Sequence, residues 1–263
     1  MAAAEAAEID GATLVRQLLA LGVEPGGLLL VHSSFRAVRP VRGGPAGLIA
    51  ALREALGPAG TLAMPSETGD DDSPFDPASS PADPNLGVVP ETFRRLPGVR
   101  RSALPVALAA LGPAAAAIVE GPQALPPNGP VGPIGRLHER DAQVLLLGCG
   151  HDADTMLHLA ELLAGVPYRR PKHFTILEAG RPKRVDYGEN DHCCQRFELA
   201  DGWLREAGLQ VEGIVGHARA RLFRARDAVR LARVRLEAEP LLFLHPPEAG
   251  CAECDDARAS LSA

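Results

Sequence analysis

The stretch Thr155 to Glu161, TMLHLAE, sets a histidine and a carboxylate three residues apart. If Asp154 caps a helix here, His158 lies just over one turn in and shares a face with Glu161. Met156, Leu159, Ala160 and Leu163 then form the opposite, apolar stripe. Charge at a helix N-terminus disfavours an imidazolium, so His158 is expected to stay neutral and able to accept a proton near neutral pH. By itself it also reads as an ordinary helical histidine. Glu189 and Asp191, in the run Tyr187 to His192, are the carboxylates expected to meet it in space, because a carboxylate behind a histidine fixes its tautomer and stabilises the imidazolium. Asp191 reads equally well as a helix cap.

Glu67 to Asp72, ETGDDD, gathers four carboxylates, enough to hold a polyamine by charge-assisted hydrogen bonds or simply to form a solvated acidic turn. His32, Ser33 and Ser34 follow an apolar run and supply hydroxyl and N–H groups at a strand's C-terminal edge, where α/β proteins bind ligands. The glycine fingerprints of dinucleotide and P-loop sites are missing there. Arg100, Arg101 and Ser102 suit a phosphate, or solvent. Cys251 and Cys254 have metal-ligand spacing, with Cys193, Cys194, His192 and His245 as completing ligands, so a structural zinc stands against free buried thiols. Cys149, between two glycines, reads as a small packing residue rather than a nucleophile.

The elements that must position these groups follow from apolar period and punctuation. Asp10 caps a helix ending at Gly22, and Pro45 opens another that closes at Gly57. Leu28–Val31, Thr61–Met64 and Val144–Leu147 are short apolar runs bounded by turn residues, the mark of buried strands. Residues 65–90 and 121–135 read as long loops. A helix begins near Asp154, a hairpin spans His173–Leu177 and Arg184–Tyr187, and Asp191 caps a helix to about Ala207. A last helix covers Ala228–Leu236, followed by a strand over Leu241–Leu244. This order predicts an α/β fold: a mixed sheet with helices on both faces, a three-layer sandwich, and a smaller appended lobe. No linker divides it, so residues 1–263 read as one domain.

With 46% hydrophobic residues but only 4% aromatics, the core must be aliphatic, and 24 prolines with 27 glycines make the loops numerous and stiff. A net charge of -6 with scattered Lys and Arg argues against nucleic acid and suits a cationic small molecule. The N-terminal run lacks a basic and apolar leader, no stretch is long and apolar enough to span a membrane, and five cysteines make an odd set. The expectation is a cytoplasmic protein without membrane or nucleic-acid partners.

Taken together, the motifs resemble one family, the aminoglycoside 3-N-acetyltransferases. They are Leu29 to Phe35, Arg101 with Ser102, Leu145 to Gly148, Thr155 to Glu161, Val166 to Tyr168, Glu189 to Cys194 and His245 to Cys251. The likeness runs the length of the chain and is strongest to the type IV branch, associated with apramycin and gentamicin-class resistance; it extends to Gly87-Val88-Val89.

The resemblance implies acetyl-CoA-dependent acetylation of the 3-amine of 2-deoxystreptamine aminoglycosides, tobramycin class included, on a fold distinct from the Gcn5-type acetyltransferases. It casts His158 as general base, Glu189 as its orienting carboxylate and Asp71 as a catalytic aid. Asp70, Asp71, Asp72, Tyr168 and Asp191 become substrate contacts. Ser33, Ser34, Arg101, Ser102 and Thr155 become coenzyme A contacts, with Thr155 near the thioester. Cys193, Cys194, Cys251 and Cys254 remain the zinc set. The chain departs from the family pattern at Leu104, where a histidine usually precedes the proline, and at Glu67, where the type IV branch carries an aromatic. The alternatives are an acetyltransferase of the same fold acting on another amine, and a zinc-stabilised scaffold.

Overall fold

A computed structural model describes residues 7–262. Its strands, in chain order, are β1 (Leu28–Ser33), β2 (Thr61–Pro65), β3 (Arg100–Arg101), β4 (Leu108–Leu111), β5 (Gln143–Leu147), β6 (Arg170–Glu178), β7 (Arg181–Glu189), β8 (Gln210–Val215) and β9 (Ala218–Arg224). Seven of them form one sheet in the order β3-β4-β2-β1-β5-β9-β8. β1 runs parallel to both β2 and β5, and the outer pairings are antiparallel. The helices are α1 (Gly11–Leu21), α2 (Phe35–Val38), α3 (Gly44–Leu56), α4 (Val88–Arg94), α5 (Ala115–Val119), α6 (Pro133–Glu139), α7 (Met156–Ala164), α8 (Leu199–Glu206), α9 (Ala225–Ala238) and α10 (Ala252–Ala259).

Side chains alternate across a strand, so a strand covered on both faces must be apolar throughout. Leu30, Val144 and Leu146 point into one core cluster with α7 and α9, whereas Leu29, Val31, Leu145 and Leu147 point into the other with α1 and α3. The result is the expected three-layer α/β arrangement. α7 is fixed by burying Met156, Leu157, Leu159 and Ala160. Truncating Leu159 to alanine would cost about 2–5 kcal/mol, the range for deleting a core leucine.

The hairpin β6–β7 is a separate two-stranded sheet and forms the smaller lobe. One bridge, Phe75 to Ile176, joins it to the loop after β2. The C-terminal ends of parallel β1, β2 and β5 open on one edge, where an open α/β sheet leaves a crevice. The turn after β5 needs glycine: Gly148 has φ +75°, and a Cβ there would approach the Ala37 Cβ to 2.7 Å.

Several boundaries differ from the sequence expectation. α7 starts at Met156, with Thr155 in the cap position and Asp154 accepting the Met156 N–H at 3.0 Å. The long loops are shorter than expected, since α4 begins at Val88 and α6 at Pro133. Asp191 caps no helix: a 3-10 turn over Gln195–Glu198 leads into α8, and Asp191 instead pairs with Arg170 and Lys172. Leu241–Leu244 forms turns rather than a strand; Phe243 and Leu244 are apolar because they plug the core. β8 and β9 escaped the apolar-run criterion because Gly213 and charged residues interrupt them. Among the described residues no helix is long and apolar enough to cross a membrane.

Candidate active site

A cleft of about 720 Å³ lies over the ends of β1 and β5. His158 stands in its wall with its side chain 19% exposed, and the carboxylate behind it is Glu161, fully buried, whose Oε2 is 3.0 Å from His158 Nδ1. The other Glu161 oxygen accepts from the Tyr168 hydroxyl and from His192 Nε2, the latter at 2.8 Å. His192 Nδ1 accepts the Cys194 N–H at 3.0 Å, which fixes its proton on Nε2. Glu161 is thus a buried carboxylate with its lone pairs occupied by donors. It holds His158 in the Nδ1–H tautomer and leaves Nε2 facing the cleft, where Cys194 Sγ lies 3.6 Å away. Phe197 packs edge-on against both histidine rings.

Glu161, rather than the expected Glu189, makes the hydrogen bond to His158 Nδ1, while Glu189 is near enough for the His158 charge to act on its carboxyl. Glu189 makes no hydrogen bond to it; its oxygens meet Asn128 Nδ2 at 3.3 Å and the Tyr187 hydroxyl at 3.5 Å. Glu161 was visible in sequence as a same-face neighbour, yet its burial arises only in the fold. Tyr168, expected at the substrate, is fully buried behind His158 instead. Burial works to lower the His158 imidazolium pKa, but the Cys194 sulfur and the Glu161 carboxylate outweigh it and hold it well above the usual range. The expectation of a helix terminus keeping it low is overridden by these closer groups.

On the cleft's other side, Ser33, Ser34 and Thr155 line the wall. Ser33 Oγ is buried without a partner among the described residues, and the Thr155 hydroxyl is 3.5 Å from His32 Nε2. Burial drives the His32 pKa down to about 4, so that ring is neutral. Arg101 and Ser102 lie apart from these residues. Arg101 donates to the carbonyls of Ser66 and Ser80 and stacks 4.7 Å over the Phe75 ring, pinning the acidic loop at both ends. The buried Ser102 hydroxyl accepts the Leu108 N–H at 3.0 Å and closes the β3–β4 turn. The cations at the cleft are Arg36 and Arg39, exposed and without a carboxylate partner among the described residues; sequence reading passed them over as scattered surface charge.

The acidic loop after β2 meets the hairpin beside the cleft, and of the carboxylates at 67–72 Glu67 is the one in the cleft lining. Asp70, Asp71 and Asp72 are exposed, Asp70 Oδ1 accepts two backbone N–H groups, and Asp72 lies 2.9 Å from His173 Nε2. Glu67 lines the cleft, and burial raises its carboxyl pKa as it does that of Glu189. Asp191 is occupied by Arg170 at 2.8 Å and Lys172 at 3.0 Å.

The four-cysteine set is not assembled. Cys194 takes the left-handed conformation, φ 59°, which turns its thiol to His158 while Cys193 turns to Cys254 at 3.6 Å. Cys149 also lines the cleft, but burial pushes its thiol up to about 12, which leaves it a packing residue.

Residues 30–237 match the family model described as aminoglycoside 3-N-acetyltransferase. The chain is 64% identical over 239 residues to aminoglycoside N(3)-acetyltransferase IV of Salmonella sp, covering 91% of this chain and 92% of that one. Among solved structures it is similar to aminoglycoside acetyltransferase AAC(3)-IVa. A histidine-to-alanine variant of that enzyme in complex with a gentamicin superposes with TM-score 0.96 at 62% identity, over 98% of this chain and 100% of the other. The same variant with apramycin gives TM-score 0.89 at 61% identity, over 95% and 99%. The AAC-IIIb binary complex with CoASH gives TM-score 0.81 at 28% identity, over 88% and 97%.

Proposed function

The chain belongs to the aminoglycoside 3-N-acetyltransferase family, and on that premise we propose that it moves the acetyl group of acetyl-CoA to the 3-amine of 2-deoxystreptamine aminoglycosides of the apramycin, gentamicin and tobramycin class. The observation that carries this reading is the buried Glu161 holding His158 Nδ1, which directs Nε2, with the Cys194 thiol as its neighbour, to the cleft side to act as base. His158 Nε2 takes a proton from the 3-ammonium. The freed amine lone pair attacks the thioester carbonyl, and the carbonyl oxygen gains charge beside the Thr155 hydroxyl and the start of α7. Collapse expels the coenzyme A thiolate, which takes up the second proton that the attacking nitrogen loses on becoming an amide, while the proton held on His158 passes to solvent; no covalent enzyme intermediate is needed.

Ser33 and Ser34 supply hydroxyls for the pantetheine arm. Arg36 and Arg39 replace Arg101 as the cations for the coenzyme A phosphates, because the donors of Arg101 are spent on the loop. Asp71, with Asp70, Asp72, Glu67 and Glu189, receives the drug's other ammonium groups, and their charge favours a polycation over a neutral amine. Five free cysteines fit a reducing cytoplasm, where acetyl-CoA is also at hand. We read residues 1–263 as one catalytic domain.

Purified protein given acetyl-CoA and apramycin or gentamicin should release free thiol. The His158→Ala form, folded by circular dichroism, should release it at least about 10²-fold more slowly, the lower range for a lost general base. Absence of turnover across an aminoglycoside panel, with thiol release on some other amine, would replace the substrate assignment and keep the chemistry.

A further inference from the structure

Behind Thr155 lies a buried polar network that the chemistry at His158 does not use. His151, on the 3-10 turn His151–Ala153, and Asp154, just before α7, are both buried. His151 Nε2 lies 2.9 Å from Gln210 Oε1 on β8. The Gln210 amide nitrogen donates to Asp201 Oδ1 of α8 at 2.8 Å, which fixes Oε1 as the acceptor and puts a proton on His151 Nε2. His151 Nδ1 faces Asp154 Oδ2 at 3.6 Å, and neither atom has a hydrogen-bond partner among the described residues. Acceptors therefore stand at both ring nitrogens, which suits the imidazolium. Burial opposes that charge, but Asp154 and Gln210 outweigh it and hold the His151 pKa above its usual value. The ring also stacks on Phe223, with centroids 4.9 Å apart.

The network closes on the cleft. Asp201 Oδ1 also accepts from Arg221 Nε on β9 at 2.8 Å, and the same guanidinium donates to the Cys149 carbonyl, in the turn after β5, at 3.0 Å. Cys149 and Asp154 both line the cleft, so a chain of polar contacts leaves at one and returns at the other through β9, α8 and β8. At its end Asp154 is held at every polar atom. Its N–H donates to the His151 carbonyl at 2.9 Å, its carbonyl accepts from Leu157 at 3.1 Å, Oδ1 accepts from Met156 at 3.0 Å, and Oδ2 faces His151. The Thr155 side chain has no such anchor among the described residues. Its hydroxyl meets His32 Nε2 at 3.5 Å, too long to fix it, so it goes where the backbone on either side carries it. With the Met156 and Leu157 N–H groups spent on Asp154, the task of meeting a developing oxyanion falls to Thr155.

We propose that His151, which does not itself line the cleft, is a positioning residue for acetyl transfer: clamped between Asp154 and Gln210, it sets the backbone before α7 and so aims the Thr155 hydroxyl at the carbonyl oxygen of acetyl-CoA. The inference rests on the acetyl-transfer reading, in which that oxygen gains charge beside Thr155. Stability does not account for the His151–Asp154 pair, because apolar side chains of the same volume commonly fill such a site at no loss. Geometry does, since displacing a reacting group by about 1 Å costs about 10² in rate.

The test is a double-mutant cycle on kcat, read by thiol release with saturating acetyl-CoA and apramycin. Thr155→Val should lower kcat about 10²-fold, the scale of one lost oxyanion donor. His151→Phe, which keeps the stacking and loses both polar contacts, should lower it about tenfold or more, with both KM values within about twofold. Should that variant fail to fold, His151→Phe with Asp154→Asn leaves no lone buried charge and takes its place. In the Thr155→Val background the same change should add less than about twofold, because it acts through that hydroxyl. Asp154→Asn alone, whose amide can donate to a neutral His151 Nδ1, should keep kcat within about threefold. A lowered Tm with unchanged kcat in the His151 variant, or losses that simply multiply in the Thr155→Val background, overturns the inference and leaves acetyl transfer standing. A wild type that releases no thiol overturns the reading and this inference with it.

Discussion

The helix that carries His158 and the acidic loop beside the cleft are built in opposite ways. His158 rides on a helix whose other face is core, and its partner Glu161 is fully buried among Tyr168 and His192. The acidic loop carries exposed aspartates at its tip, is held near its ends by Arg101 and by backbone bonds such as Thr68 N–H to the Pro105 carbonyl, and meets the hairpin through one bridge and the Asp72–His173 pair. Proton transfer needs a base held to fractions of an ångström, which packed elements provide. Holding a polycation with several ammonium groups needs charge density and tolerance, which a loop provides.

Five experiments bear on that contrast. The largest effect is expected from Glu161→Gln, which keeps the volume but removes the carboxylate that raises the His158 pKa and fixes its tautomer. kcat should fall by about 10² or more, as for a base that has lost its orienting group. A matching loss for Glu189→Gln, with Glu161→Gln unaffected, would reverse the assignment. Next comes pH. A base acts when neutral, and the His158 imidazolium is held well above its usual value, so the rate should rise with pH through that raised value and be lost as pH falls below it. In Glu161→Gln the rising limb should move to lower pH; a limb unmoved in the variant would detach the pH dependence from this pair.

The smallest effects belong to the acidic loop and the cleft mouth. Asp71→Asn should raise KM for the aminoglycoside about tenfold, the scale of one charge-assisted contact, with kcat nearly constant and the difference shrinking in high salt. Arg39→Ala should raise KM for acetyl-CoA in the same manner. Arg101→Ala should instead lower Tm, and an acetyl-CoA KM that moves only with Arg101 would restore it as the phosphate ligand.

The sequence made the central parallel strands legible because residues buried on both faces must be continuously apolar, and β1, β2 and β5 are. The same rule misread Leu241–Leu244, whose apolar side chains plug the core without pairing in a sheet. It also passed over β8, where Val211 and Ile214 are exposed at the sheet's edge. In the site, His158 and its three-residue spacing to Glu161 were on view, but spacing says nothing of burial. Only the fold shows that Tyr168 and His192 converge on Glu161. The adjacent Cys193 and Cys194 looked like one ligand pair; a single left-handed residue sends them to different sites.

The bridge between Phe75 and Ile176 has a consequence for how drug range can change. Loop and hairpin share one backbone ladder step and one aspartate–histidine pair, so they inherit each other's displacements. A substitution on the outer strand of the hairpin, touching no ligand, can re-aim the aspartates at the loop tip. Selection on new antibiotics thus has a dial remote from the chemistry, while the buried triplet around Glu161 stays fixed.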